Sequence, residues 1–164
     1  MGRIWALGIA LALTPVVAIG QGTGITLGSL QHDTSLPVEV TSDNLSVENE
    51  AGVAIFDGNV IVIQGAMRLA AGNIRVSYGE TGDGGRTEIS EMIASGGVTF
   101  ANGSDAAEAS DAVYSPEAGT LVMTGDVVLT QGPSVISGER LTVDLGAGTG
   151  VMEGRVRTIF QSQN

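Results

Sequence analysis

Side chains able to do acid–base or nucleophilic chemistry are scarce in this 164-residue chain, and they stand apart from one another. The single His, His32, lies beside Asp33 ahead of the first strand pattern, with no second His and no Cys to join it. Without a usable imidazole, Ser134, Ser137 and Glu139 cannot form a hydrolytic triad. Asp83 sits among Gly82, Gly84 and Gly85, as in a calcium loop, but lacks the regularly spaced acidic companions that hold such an ion. No metal site is expected. The absence of Cys excludes thiolate nucleophiles, zinc–thiolate centres and disulfide frameworks, and the absence of Lys removes Schiff-base chemistry. Carboxylates are plentiful, and two of them suffice for a glycosidase, yet no pair lies among aromatics that could stack on a sugar. No catalytic residue, no cofactor and no enzymatic activity are expected.

The rest of the composition narrows the class. All 7 basic residues are Arg, against 18 acidic ones, and a net charge of −11 argues against a partner held through nucleic-acid phosphates. Charged residues make up 15% of the chain, below the share typical of disordered segments. Hydrophobic residues reach 43% while aromatics stay at 4%, so the apolar mass is Val, Ile, Leu and Ala. That palette suits many short β-strands, and the length suits one domain.

Residues 1–20 read as a signal peptide. Arg3 supplies the positive start, Ile4 to Ile19 is an apolar run of about sixteen residues interrupted by Pro15, short of a membrane span. Ala18-Ile19-Gly20 fits a small-residue cleavage pattern, so the mature chain is expected to begin at Gln21. An uncleaved anchor is the alternative, and the domain is exported either way. No Cys follows the run to take a lipid anchor. Residues 21–36 are expected to be a flexible lead-in, 37–160 the folded domain and 161–164 a short tail.

Within the domain a repeat appears. Gly-x-Val steps occur at Gly58-Asn59-Val60, Gly96-Gly97-Val98, Gly125-Asp126-Val127 and Gly154-Arg155-Val156, with intervals of 38, 29 and 29 residues. The first interval is longer by nine, the length of the turn-rich stretch Gly79 to Thr87. A second series, Leu45, Ile74, Val113 and Leu141, keeps nearly the same period with the same insertion. Two markers with one period imply a repeated two-strand unit. Gly with Asn or Asp between apolar alternations supplies the positive φ that sharp strand corners need. The expected fold is all-β: an open β-jelly-roll of stacked short antiparallel strands built from repeats of about 29 residues.

The segments Pro37 to Asp43, Phe56-Asp-Gly-Asn-Val-Ile-Val-Ile-Gln-Gly65, Ala109 to Tyr114, Val122-Met-Thr-Gly-Asp-Val127 and Ile136 to Leu141 together resemble the periplasmic lipopolysaccharide-transport proteins of the LptA/OstA type. The resemblance covers about residues 36 to 160. It implies a jelly roll whose groove shields the acyl chains of lipid A, and units that self-associate head to tail. The implied bridge joins the jelly-roll domains of an inner-membrane-anchored component and of an outer-membrane component across the periplasm. The anchored sister component of that pathway and a structural β-repeat scaffold with a packed core are the alternatives. Lysine's absence, the acidity and the Gly-rich insertion depart from better-known members.

Alternation assigns faces independently of the resemblance. With Asp57, Thr99, Thr124, Thr130, Asp144, Arg155 and Arg157 outward, the inward positions are Val38, Val40, Leu45, Val47, Phe56, Val60, Val62, Met67, Leu69, Ile74, Val76, Tyr78, Val98, Phe100, Val113, Leu121, Met123, Val127, Leu129, Ile136, Leu141, Val143, Leu145 and Val156. All but Leu45, Val47, Tyr78, Val113, Ile136, Leu145 and Val156 form the expected lipid-binding groove. Val38-Glu39-Val40-Thr41 at the start and Arg155-Val156-Arg157-Thr158-Ile159-Phe160 at the end are expected to be edge strands that pair with partners by β-augmentation.

Overall fold

A computed structural model describes residues 23–26, 33–80 and 87–160. The signal-peptide reading of 1–20, His32, the heart of the Gly-rich insertion with Asp83, and the tail at 161–164 lie outside the described residues. Among the described residues the chain forms thirteen strands in one continuous antiparallel sheet, with a single 3-10 turn at Asn49–Ala51. In chain order they are β1 Thr23–Thr26, β2 Glu39–Thr41, β3 Asn44–Glu48, β4 Val53–Gln64, β5 Met67–Glu80, β6 Thr87–Ser95 and β7 Val98–Asn102. They continue with β8 Asp105–Ala109, β9 Asp111–Ser115, β10 Thr120–Gln131, β11 Ser134–Asp144, β12 Thr149–Glu153 and β13 Arg157–Ile159.

The sheet is folded on itself because its long strands change partners midway. The first half of β4 pairs with β3 and the second half with β2, and the register breaks between Asp57 and Val60. β5 passes from β7 to β6 around Gly72, and β10 from β9 to β8 between Thr124 and Val127. β11 passes from β13 to β12 around Gly138 and Glu139. Two layers result. Layer one runs β3, β4, β5, β6, β9, β10, β11, β12, β1, and layer two runs β2, β4, β5, β7, β8, β10, β11, β13. Their inner faces share one apolar cluster. This is the β-jelly-roll expected from the repeat.

All four Gly-x-Val steps lie on the fold line, and each places two successive residues in the left-handed region. The φ values are 79 and 48° at Gly58 and Asn59, 80 and 83° at Gly96 and Gly97, 85 and 49° at Gly125 and Asp126, and 79 and 40° at Gly154 and Arg155. Two consecutive left-handed residues turn a strand sharply, and L side chains resist that conformation. Corners on the intervening strands, at Asp43, Gly72, Ser110 and Glu139, are 29, 38 and 29 residues apart, so they follow the same period. Adjacent corners bond to one another. The Asn59 amide donates to Asp43 Oδ2 at 2.7 Å, the Gly97 N–H to Ser110 O at 3.2 Å, and the Arg155 guanidinium to Glu139 Oε1 at 3.1 Å. The Gly79 to Thr87 insertion falls in the β5–β6 hairpin, away from the fold line, so it lengthens the interval without disturbing a corner.

Three expectations change. Within residues 21–36, read as a flexible lead-in, Thr23–Thr26 pairs with β12 as an edge strand of layer one. Val113 is not inward. The bend at Ser110 restarts the alternation, so Ala112 and Tyr114 are buried while Val113 pairs with Val122 and Ile93 on the outer face. Leu45 and Val47 do share the inner face, opposite Phe56 and Ala54, but nothing covers β3 and they are 56% and 58% exposed.

The corners generate a graded prediction. At Gly97 an added Cβ meets no neighbour, so Gly97→Ala isolates backbone strain and is expected to cost about 1–2 kcal/mol. At Gly125 the same Cβ would lie 2.6 Å from Ser110 Oγ and 2.8 Å from Ser110 Cβ, so Gly125→Ala should cost more. Urea midpoints of the two variants check the order. Equal losses would remove the steric part of the account.

Candidate functional site

The space between the layers is the candidate site. Of the groove residues expected from alternation, Val60, Val62, Met67, Leu69, Ile74, Val76, Val98, Phe100, Leu121, Met123, Val127, Leu129, Leu141 and Val143 are all buried in one cluster. Val38, Val40 and Phe56 are partly buried and pack against it. The interior also takes Met92, Ala94, Ala112, Tyr114 and Met152, which alternation had left out. β6 was legible only as far as its turn-rich flank, and the small residues Ala94 and Ala112 gave no apolar signal. As folded, the interior is closed. Most of its side chains are Val, Leu, Ile, Met and Ala.

The two long sides of the sandwich differ. One is the fold line, bonded from corner to corner. The other is a pair of lips made of hairpins. Layer two contributes the tight turns at Gly65-Ala66, Gly103-Ser104 and Gly132-Pro133, and layer one the β9–β10 turn at 116–119 and the β11–β12 turn at 145–148. Along the inner edge of layer two the apolar face becomes polar. Gln64, Asn102 and Asp105 are 1%, 3% and 2% exposed, and Gln131 donates to Asp105 Oδ2 at 3.2 Å.

A hydrogen-bonded latch crosses between the lips. The Tyr114 hydroxyl, on layer one, donates to Gln64 Oε1, on layer two, at 2.7 Å. Gln64 Nε2 in turn donates to the carbonyls of Thr34 and Leu36 at 2.8 and 2.7 Å. The segment before β2 is thereby strapped across the opening. Asp33 shapes the strap by accepting from the Ser35 N–H and hydroxyl at 3.0 and 2.6 Å. Between the strap and the layer-one lip lies a cavity of 880 Å³, walled by Leu36, Val38, Gln64, Ile89, Pro116 and Glu117 among others. Burial pushes the Tyr114 hydroxyl up to about 12.

Sequence reasoning missed this polar row, though the repeat carried it. Each of the first three Gly-x-Val steps continues to an amide followed by glycine: Val60-x-Val62-x-Gln64-Gly65, Val98-x-Phe100-x-Asn102-Gly103 and Val127-x-Leu129-x-Gln131-Gly132. In the fourth, Phe160 takes the amide's place.

The ends of the stack are open. At the first end Leu45, Val47, Val53, Ala54, Phe56 and Tyr78 line an apolar cavity of 370 Å³. Of the expected edge Val38 to Thr41, Glu39–Thr41 form β2, the layer-two edge, and β3 adds a layer-one edge beside it. At the other end β13, within the expected edge Arg155 to Phe160, is the layer-two edge, with Ile159 46% and Phe160 77% exposed. β1 covers β12 in layer one.

The latch has a stability signature. Tyr114→Phe leaves the buried Gln64 carbonyl oxygen without its donor, an expected loss of about 1–3 kcal/mol. Because the folded state holds the hydroxyl at about 12 against an ordinary value of 10.0, this contribution is complete below pH 10 and fades as pH rises through 12. The gap in denaturation midpoint between the wild type and Tyr114→Phe should therefore narrow from pH 10 to 12. A gap that widens contradicts the assignment.

Comparisons with known proteins agree with this geometry. Residues 39–149 match the family described as "LptA/(LptD N-terminal domain) LPS transport protein". An uncharacterized protein of Rhizobium meliloti is 30% identical over 164 residues, covering 96% of this chain and 88% of that one. The lipopolysaccharide export system protein LptA of Escherichia coli K12 is 32% identical over 119 residues, which span 67% of this chain and 60% of the relative. Among solved structures, LptH of Pseudomonas aeruginosa, described as the LptA-homologous periplasmic component of the lipopolysaccharide transport device, superposes with a TM-score of 0.70. That superposition covers 79% of this chain and 99% of LptH at 16% identity, and so speaks to the fold. By the family match over most of its folded domain, the chain belongs to the LptA/LptD N-terminal domain family of lipopolysaccharide-transport proteins.

Proposed function

We propose that the protein is a periplasmic lipopolysaccharide carrier that shelters the acyl chains of lipid A between its two layers. The observation that supports this best is the asymmetry of the sandwich. Two apolar faces are bound firmly along one folded side and meet along the other at hairpins, beside a cavity of 880 Å³. Burying an acyl chain returns about 0.8 kcal/mol per methylene, and that return offsets the parting of the faces. The carrier performs no chemistry of its own. With a net charge of −11 it grips an anionic glycolipid chiefly through its tails.

The ends supply the second half of the reading. Among the described residues β2 and β3 at one end and β13 at the other each pair on one side only, and Leu45, Val47, Ile159 and Phe160 are exposed in or beside them. Such edges pair with further strands by β-augmentation. Head-to-tail stacking of copies, and docking onto the jelly-roll domains of the inner-membrane-anchored and outer-membrane components, extends the interior into a bridge. A second reading, a scaffold with a permanently packed core, draws on the closure of the interior seen here, where Val62, Ile74, Met123 and Leu141 are 0% exposed.

Photo-crosslinking separates the two. A photoreactive residue at Val62, Phe100 or Leu121 is expected to capture lipopolysaccharide, and one at the outward Thr130 is not. Adducts confined to Thr130 would support the scaffold. For the ends, truncation before Ile159 is expected to abolish concentration-dependent self-association in sedimentation velocity. Unchanged association after truncation removes β13 from the interface.

A further inference from the structure

Asn102 carries an unusual burden. Its side chain is on the inner face of β7, two residues beyond Phe100, and is 3% exposed, yet its Nδ2 has no hydrogen-bond partner. A buried donor without an acceptor is costly, and buried polar groups are nearly always paired. Its neighbours are paired: Gln64 to Tyr114 and the strap, and Asp105 to Gln131 and to the Ser104 hydroxyl at 3.4 Å.

The position follows from the repeat rather than from an isolated substitution. Gln64, Asn102 and Gln131 close three equivalent strand segments, each immediately before a left-handed glycine, with φ of 58, 60 and 53° at Gly65, Gly103 and Gly132. Met67 of β5 faces Asn102 across the ladder, Asp105 faces both Asn102 and Gln131, and Ser134 faces Gln131. Neighbouring strands are about 4.8 Å apart. The row Gln64, Met67, Asn102, Asp105, Gln131, Ser134 thus runs along the inner lip of layer two at one depth. Val, Leu and Phe lie on its deep side and the hairpin turns on its shallow side.

We infer that this row is a hydrogen-bonding belt for the linkage region of the bound amphiphile, with Asn102 Nδ2 donating to an acyl ester or amide carbonyl. The inference rests on the proposed carriage of lipid A between the layers. Acyl chains entering between the lips pass the belt, and their carbonyls come to rest where the hydrocarbon ends. A donor held there sets how deep the chains sit. It selects amphiphiles with a carbonyl at the head of the chain over bare hydrocarbon. Neutral amides do this without a cationic side chain.

The test compares the wild type and Asn102→Leu with two probes: purified lipid A, and N-phenyl-1-naphthylamine, which offers no acceptor oxygen. Asn102→Leu is expected to keep or raise the melting temperature of the ligand-free protein, keep the affinity for the apolar fluorophore, and weaken lipid A binding about tenfold. Asn102→Ala, which cannot overpack, gives the same readout if leucine is not accommodated. Equal lipid A affinity in wild type and variant overturns the belt alone. So does a lowered melting temperature in both variants, which would make Asn102 a structural contact. A wild type that binds neither probe overturns the carrier reading and the belt with it.

Discussion

The structure depends on one backbone constraint: long strands must bend sharply at the same level, again and again, without leaving the sheet. Two successive left-handed residues accomplish this at Gly58-Asn59, Gly96-Gly97, Gly125-Asp126 and Gly154-Arg155. Where a corner has no left-handed pair it relies on closeness instead. A Cβ on Gly72 would stand 3.1 Å from the Gly96 carbonyl oxygen, so a side chain there would push the two backbones apart by a few tenths of an ångström. Of the eleven described glycines with positive φ, five stand along this line, at Gly58, Gly96, Gly97, Gly125 and Gly154. The bends turn one sheet into two layers, and the layers create an interior.

That constraint was legible in the sequence, and the interior followed from it. The Gly-x-Val period located the corners, and alternation on either side placed the groove residues from Val60 to Val143 on the buried face. What was not legible had specific causes. Val113 was misassigned because the bend at Ser110 shifts parity with no glycine to mark it. Leu45 and Val47 were on the correct face, but alternation cannot tell whether a face is covered. The pairing of β1 with β12 joins the two ends of the chain, and no local pattern carries such a pairing. Gln64, Asn102 and Gln131 were hidden by their type. Polar residues before a glycine read as turn residues, and only the layer opposite makes them buried.

The interior also explains the composition. Aromatics are 4% of the chain, and Phe100 and Tyr114 are the two largest fully buried side chains. Tyr114 reaches the lip and ends in a hydrogen bond, so one ring serves as a bridge between layers. Away from Phe100 and the polar lip row, the faces meet largely through Val, Leu, Ile, Met and Ala side chains. There, contact between such faces is worth an amount set chiefly by apolar area.

Fold line and lips therefore have opposite mechanical characters. Along the fold line, strain in the left-handed residues, close backbone approach and corner-to-corner hydrogen bonds fix the angle locally, and every repeat contributes. Along the lips, the layers are tied by side chains, and the Tyr114–Gln64 bond is buried among groups that water would satisfy if the lips parted. Breaking it exchanges one hydrogen bond for others, a net change of about 1 kcal/mol, whereas unfolding a corner releases two strands at once. The two sides thus differ as a spine written into the repeat differs from a clasp held by Gln64, Tyr114 and the Thr34–Leu36 strap. Among the described residues the acidic side chains other than Asp105 lie on the outer faces and turns, while the facing inner surfaces are mostly apolar. Asp105 is the buried exception, and its place in the lip row puts it where the interior first meets solvent.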